Sequence, residues 1–255
     1  MTLSRLLLRG CVAGLLLAAT WTANAGLDDD SLVLYLSFDE DGGDSASDGS
    51  QYGHDGELVG DPSWVPGRSG SALEFDAGQG QYVTVPVTDT LQLTTAFSAA
   101  FWVQRSDDQP ADWNYMIGAG TLMWATIYNT DQTVYVYSRS GGAWAQAAKT
   151  TAPLTTDWTH VTLTHDVDAD IILYFNGEPA YEGNEPPEVD PIDGAIMIAA
   201  RNPGQEFFSG TIDEVFLFNR AITADEVASI MDDEFLAVDP AGKAATTWGA
   251  MKTLR

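Results

Sequence analysis

The residues in this chain best suited to do chemistry are its carboxylates, and two of them occupy an unusual place. Asp213 and Glu214 stand near the start of "GTIDEVFLFNRAITADEV" (210–227), which otherwise reads as an apolar strand running into a helix start. Strand alternation places Asp213 on the face of Val215 and Leu217, and Glu214 on that of Ile212, Phe216 and Phe218. Side chains on opposite faces do not share one site equally.

Other chemistries find less support. In "DVDADIILYFNG" the acids Asp166, Asp168 and Asp170 stand where an EF-hand loop begins, but Ile171 replaces its glycine and Gly177 its final glutamate. A hairpin turn is the expected role of these acids. "SDDQPADW" (106–113) approaches the Ser-x-Asp-x-Gly-x-x-Trp box of propeller sialidases, yet it occurs once and carries Pro110 in place of the glycine. No serine sits in a nucleophile-elbow context, and "GAGTL" has no phosphate-loop lysine. His160 lies on an apolar strand, and His54 and His165 lie in or near turns. No catalytic residue is assigned.

Aromatic residues offer a second kind of site. Trp113, Trp124, Trp144 and Tyr128 fall between residues 105 and 155, as do Tyr115, Tyr135 and Tyr137. Exposed rings can stack on the apolar C–H faces of sugars, and the first four form the expected ligand-binding set. The competing reading is ordinary sandwich packing, which alternation permits because Tyr135 and Tyr137 share one face of "TVYVYS". Trp102 and Trp158 fall in strands expected in the core.

The elements that must position these groups are short strands separated by Gly, Pro, Asp and Asn turns. Strands are expected at 31–38, 71–75, 81–87, 97–104, 121–128, 133–138, 158–165, 170–177, 195–200 and from 210 onward. One helix is marked by Thr223 as N-cap and Glu226 three residues on, a capping box, with Ile222 and Val227 as a hydrophobic staple. "EVDPID" (188–193) lies in a Pro-rich acidic loop, where Pro191 argues against a central strand.

The chain opens with Arg5 and Arg9, an apolar run and "TANAG", the pattern of a secretory signal peptide cleaved near Ala25. The expected organisation is a signal peptide at 1–25, one domain at 26–236 and a tail at 237–255 outside the core. Secretion to the extracellular space or periplasm follows, with no membrane insertion of the mature chain. Cys11, the single cysteine, falls in the leader, so stability must come from the core, from bound metal or from both. Removing the leader leaves nine basic residues against 37 acids, a net charge of −28. Such a charge argues against nucleic acid as a partner.

Several segments taken in order resemble the LamG-like jelly-roll family, relatives of laminin G domains, pentraxins and concanavalin A-like lectins and glucanases. They are "LVLYLSFDED", "DGSQYGHDGEL", "VPGRSGSALEFDAGQGQYVTVP", "FSAAFWVQ", "WTHVTLTHDVDADIILYFNGEPA" and "FSGTIDEVFLFNRAITADEV". The resemblance covers roughly 31–232 and is loose over 105–155. It implies an all-β fold, a two-sheet antiparallel jelly-roll sandwich with one short C-terminal helix, whose first and last strands are neighbours. Asp39 and Asp213 then meet at one rim, and Ca²⁺ is the expected structural cofactor, with Gly53 and His54 as backbone donors. The competing reading has Asp213 merely accepting hydrogen bonds in a tight loop. The glucanases' strand-borne E-x-D-x-x-E is not matched by "EVDPID". The function implied is a calcium-stabilised binding module for a polysaccharide or glycan, or for an extracellular protein. A glycoside hydrolase or polysaccharide lyase on the same sandwich, or a structural or adhesive envelope protein, is the alternative.

Overall fold

Alternating residues in "QYVTVPV" show how the sandwich is built. Val83 and Val85 are fully buried between the sheets, while Thr84 is half-buried and Pro86 exposed on the other face. The computed structural model describes residues 26–120, 122–184, 186–201 and 205–236, with the side chains of 122–124 outside that description. The expected leader and tail lie outside the described residues.

The strands, in chain order, are β1 (Leu32–Leu36), β2 (Ser45–Ala46), β3 (Gly56–Val59), β4 (Ser63–Pro66), β5 (Ser71–Phe75), β6 (Tyr82–Pro86), β7 (Ala96–Arg105) and β8 (Trp113–Ala119). They continue as β9 (Leu122–Tyr128), β10 (Thr133–Ser140), β11 (Ala143–Pro153), β12 (Thr159–Asp166), β13 (Ile172–Phe175), β14 (Glu178–Glu182), β15 (Ala195–Ile198) and β16 (Gly210–Phe218). The first sheet runs β14-β13-β12-β7-β16-β5-β4, with β1 also paired to β16. The second runs β11-β10-β9-β8-β15-β6-β3-β2. All the pairings are antiparallel.

The core lies between the sheets. Phe97, Ala99, Phe101 and Val103 of β7 and Ile212, Val215 and Leu217 of β16 face Val83, Val85, Ile127, Val134, Val136, Ile196 and Ile198 of the second sheet. Strands that the sequence reading did not expect have weak local signals. β11 is rich in alanine, β8 contains Gly118, and β4 and β14 each carry a proline, which a sheet tolerates at its edge. Asp166, Asp168 and Asp170 lie at the β12–β13 turn, where the Asp168 N–H donates to Asp166 Oδ1 at 3.0 Å. "EVDPID" lies outside the strands.

The helix α1 (Ala224–Met231) covers part of the outer face of the first sheet. Thr223 accepts the Glu226 N–H and Glu226 accepts the Thr223 N–H, completing the capping box. Ile222, Val227 and Ile230 pack with Leu32, Tyr35, Phe216 and Phe218 in a second apolar cluster. Arg220 ties the helix start to the chain before β1: Nη2 lies 2.6 Å from Glu226 Oε1 and 3.0 Å from Asp29 Oδ2.

Thr223→Ala should cost about 1 kcal/mol and lower Tm by about 2–4 °C. Glu226→Ala should cost more, because it also removes the pairing with Arg220. Equal losses in the two variants, measured by thermal melting, would show that the Arg220 pairing adds nothing.

Candidate functional site

Strand β16 changes partners halfway along its length. Residues 210–212 pair with β5, and 215–218 pair with β1. Between them Asp213 pairs with Trp102 of β7 and Phe216 pairs with Ala100, leaving Glu214 and Val215 opposite Phe101 alone. This is a β-bulge, with Glu214 in left-handed backbone at φ 51°. The extra residue resets the alternation. Asp213 falls on the outer face with Phe216 and Phe218, and Val215 and Leu217 turn inward, contrary to the simple alternation of the sequence. Glu214 also reaches the outer side, where its Oε2 accepts the hydroxyl of Tyr35 at 2.7 Å. Both acids therefore sit at one junction.

The β4–β5 hairpin loop closes over this junction. The N–H groups of Arg68 and Ser69 donate to Asp213 Oδ2 at 2.8 and 3.1 Å. The Ser71 N–H donates to Asp39 Oδ1 at 2.9 Å, and its hydroxyl donates to the Phe38 carbonyl at 2.6 Å. Gly70, at φ 51°, has no room for a Cβ because Asp39 Oδ1 occupies that place. The Arg68 guanidinium lies 4.6 Å from the centre of the Trp102 ring, which places Trp102 beneath the loop on the outer face rather than between the sheets.

Asp213 and Asp39 are thus drawn to one rim by one loop. Asp213 is fully buried and its Oδ1 has no hydrogen-bond partner, an oxygen suited to a cation. Gly53 and His54 lie in a loop organised by Asp48. Asp48 accepts the N–H groups of Tyr35, Ser50 and His54, and the His54 ring lies 2.7 Å from the Thr90 hydroxyl. With the Gly49 N–H on the Tyr35 carbonyl, this loop binds the edge of β1 away from β16. Among the described residues, no three His, Cys, Asp or Glu side chains gather as a metal site. The donor set fits calcium at its two carboxylates, and further oxygens would come from carbonyls and water.

Burial and neighbouring charge act on the same groups. Burial pushes the Asp213 carboxyl up to about 7, aided by the charge of Asp39 and opposed by the N–H groups of Ser69, Arg68 and Glu214. Burial likewise pushes Glu214 up to about 8, opposed by the Tyr35 hydrogen bond and aided by Asp213, Asp39 and Asp233. His160, fully buried beside Trp102, is driven down to about 3 by burial and by Arg68. It is a neutral packing residue at physiological pH.

The second candidate is a cleft of about 250 Å³ on the outer face of the second sheet, lined by Trp113, Tyr115, Tyr137, Trp144, Arg201 and Glu206. Trp144 on the edge strand β11 is 40% exposed. Trp113 on β8 is half-buried and is held by Tyr128 at 4.6 Å and by Tyr135 and Tyr137, which meet it edge-on at 5.1 and 5.7 Å. Tyr135 and Tyr137 share a face, as their spacing predicts, with rings 8° from parallel. The Lys149 Nζ lies 4.6 Å from the Tyr135 ring centre and pairs with Asp131 at 2.9 Å. Three of the four expected aromatic ligands, Trp113, Trp144 and Tyr128, belong to this cluster, with Tyr128 acting as support behind Trp113. The side chain of Trp124 lies outside the described residues. Arg201 and Glu206 were not expected, since nothing in the spacing of "RNPGQEF" distinguishes them from loop charges.

The sequence profile described as concanavalin A-like lectin/glucanases superfamily matches residues 77–228. No curated protein sequence matches the chain. Among solved structures, the chain is similar to the binding domain of Paraclostridial Mosquitocidal Protein 1, with TM-score 0.65 and 16% identity over 80% of this chain and 52% of that one. It is similar to domain 4 of an extracellular GH43 arabinanase from Geobacillus stearothermophilus in complex with arabinotriose, with TM-score 0.63 and 21% identity over 79% of this chain and 98% of that one. A Trypanosoma rangeli sialidase in complex with the inhibitor DANA gives TM-score 0.60 and 19% identity over 81% of this chain and 34% of that one. The chain therefore spans about half of that binding domain and a third of the sialidase, and at these identities the likeness carries the fold alone.

The raised carboxyl values fix the sign of a pH dependence. The folded state holds protons on Asp213 and Glu214 that the unfolded chain has released, so their contribution is full below about pH 4 and is lost as pH rises through about 7 to 8. In chelator, Asp213→Asn should flatten the fall of Tm between pH 5 and 8, since its amide oxygen still accepts the loop N–H groups. Parallel Tm–pH curves for the variant and the wild type would overturn this role for Asp213.

Proposed function

The chain belongs to the concanavalin A-like lectin/glucanases superfamily, and from that premise we propose that it is a glycan-binding module whose ligand lies in the Trp113–Trp144 cleft. One observation carries the reading: Trp144 is exposed at the mouth of a cleft that also presents Trp113, Tyr137, Arg201 and Glu206. Binding sites for small ligands combine apolar walls with a few fixed polar groups, and this lining does so. The arabinanase domain solved with arabinotriose lends support by analogy of fold. The lining holds one carboxylate, Glu206, already paired with Arg201, whereas glycosidases commonly use two acids flanking the bond. We therefore read the cleft as binding without turnover. The leader-like pattern at 1–25 favours a setting outside the cytoplasm.

A second proposal concerns calcium. The buried, unpartnered Asp213 Oδ1 beside Asp39 favours a structural Ca²⁺ at the junction, locking the β4–β5 loop against β16. The ion would offset the carboxylate charge that burial otherwise disfavours.

Trp144→Ala should weaken binding of a recognised glycan by about 30-fold while changing folding stability by less than about 0.5 kcal/mol. Calorimetric titration against a panel of polysaccharides checks this, and unchanged affinity in the variant would sink the cleft assignment. Millimolar calcium should raise Tm in the wild type and leave Asp213→Ala unmoved. A calcium response that survives in that variant would remove the ion from this junction.

A further inference from the structure

We propose that the Arg201–Glu206 pair makes the cleft selective for uncharged, hydroxyl-bearing sugar units and excludes uronates. The inference rests on the glycan-binding reading and names the ligand class.

The pair is built into the cleft rather than loosely attached. The Arg201 guanidinium lies 5.7 Å from the ring centres of both Tyr115 and Trp144. Its Nη1 is 3.2 Å from Glu206 Oε2, and both side chains are a little over one quarter exposed. Glu206 is fixed from its backbone: φ is 54°, in the left-handed region, and its carbonyl accepts the Tyr115 N–H at 3.2 Å. Non-glycine residues adopt that conformation at a cost, and the Tyr115 hydrogen bond helps to hold it. Guanidinium and carboxylate are thus presented together beside the Trp144 ring.

A sugar diol contains both hydroxyl donors and acceptor oxygens. Arg201 matches the oxygens with N–H groups, and Glu206 matches the hydroxyl protons with an acceptor. A uronate carries a carboxylate in place of the C6 hydroxymethyl group, so a unit seated with C6 toward the pair sets that charge beside it. Arg201 attracts it, but Glu206 repels it at the same short range, and the pair carries no net charge. The other cation of the aromatic cluster, Lys149, is already paired with Asp131. The protein as a whole adds repulsion, with 37 acids against 11 basic residues. That wider field is screened beyond about 10 Å in 0.1 M salt, so discrimination at physiological salt depends on Glu206 itself.

The test uses oligosaccharides matched in linkage and length that differ in charge: β-1,4-mannan and β-1,4-mannuronan, and β-1,4-glucan and β-1,4-glucuronan. Calorimetric titration of the full chain is run in 0.15 M salt with wild type, Glu206→Gln and Glu206→Asp. The expected result is binding of at least one neutral member, with its uronate partner weaker by about tenfold or more. Glu206→Gln should narrow that gap by raising uronate affinity relative to the neutral partner, whatever it does to the neutral affinity itself, and Glu206→Asp should keep the gap. Equal or tighter binding of uronates by the wild type overturns the inference and leaves glycan binding standing. A gap that Glu206→Gln does not narrow also overturns it. No binding of any member by the folded wild type overturns both readings.

Discussion

The arrangement depends on a backbone constraint in β16. A central strand must pair its N–H and C=O groups on both sides, yet on one side β16 meets two shorter strands end to end. Where β5 stops and β1 begins, the ladder is interrupted. The bulge at Glu214 takes up the mismatch, and the hairpin loop after β4 delivers N–H groups to the side chains gathered there. The two adjacent acids are thus part of how a strand changes partners. Asp213 accepts the Arg68 and Ser69 amides in the gap and Glu214 accepts the Tyr35 hydroxyl, and burial raises their demand for a proton or cation.

The same constraint separates the two outer faces of the sandwich. On the first sheet, helix α1 packs over Phe216 and Phe218 while the β4–β5 loop covers Trp102 and Asp213. That face is occupied by the protein itself. On the second sheet the loop through Arg201 and Glu206 meets the aromatic side chains of β8, β10 and β11, leaving Trp144 open to solvent. Register shifts along β8 and β10 increase local twist, and they bring rings from separate strands into one cluster. The open aromatic surface and the face that the protein itself covers thus lie on opposite sides of one core.

This division bears on how the superfamily membership is used. A sandwich of this kind fixes a frame and leaves function to whichever surface presents convergent groups. The charged groups in the cleft are paired, Arg201 with Glu206 and Lys149 with Asp131 nearby, so the aromatic surface is close to neutral within a strongly acidic protein. A surface of that character suits contacts made by stacking and hydrogen bonding more than by long-range attraction.

Much of the fold was legible in the sequence because its signals are local. Alternation in "QYVTVPV", the Thr223–Glu226 capping box and the turn acids at 166–170 each depend on neighbours a few residues away, and each appears in the structure. The resemblance also placed the first and last strands side by side and brought Asp39 to the rim of Asp213. The faces of Asp213 and Glu214 were misread, since a one-residue bulge inverts every later side chain and is set by strand pairing. Asp48, through three backbone N–H groups, ties the loop that carries Gly53 and His54 to β1, a contact that no local pattern announces. Arg201 and Glu206 carry no periodic signal at all. By itself the sequence determined the strongly alternating strands, the helix start and which residue types are available for chemistry; tertiary structure decided the weakly marked strands and which residues meet, because register, bulges and loop capture act between residues far apart in the chain.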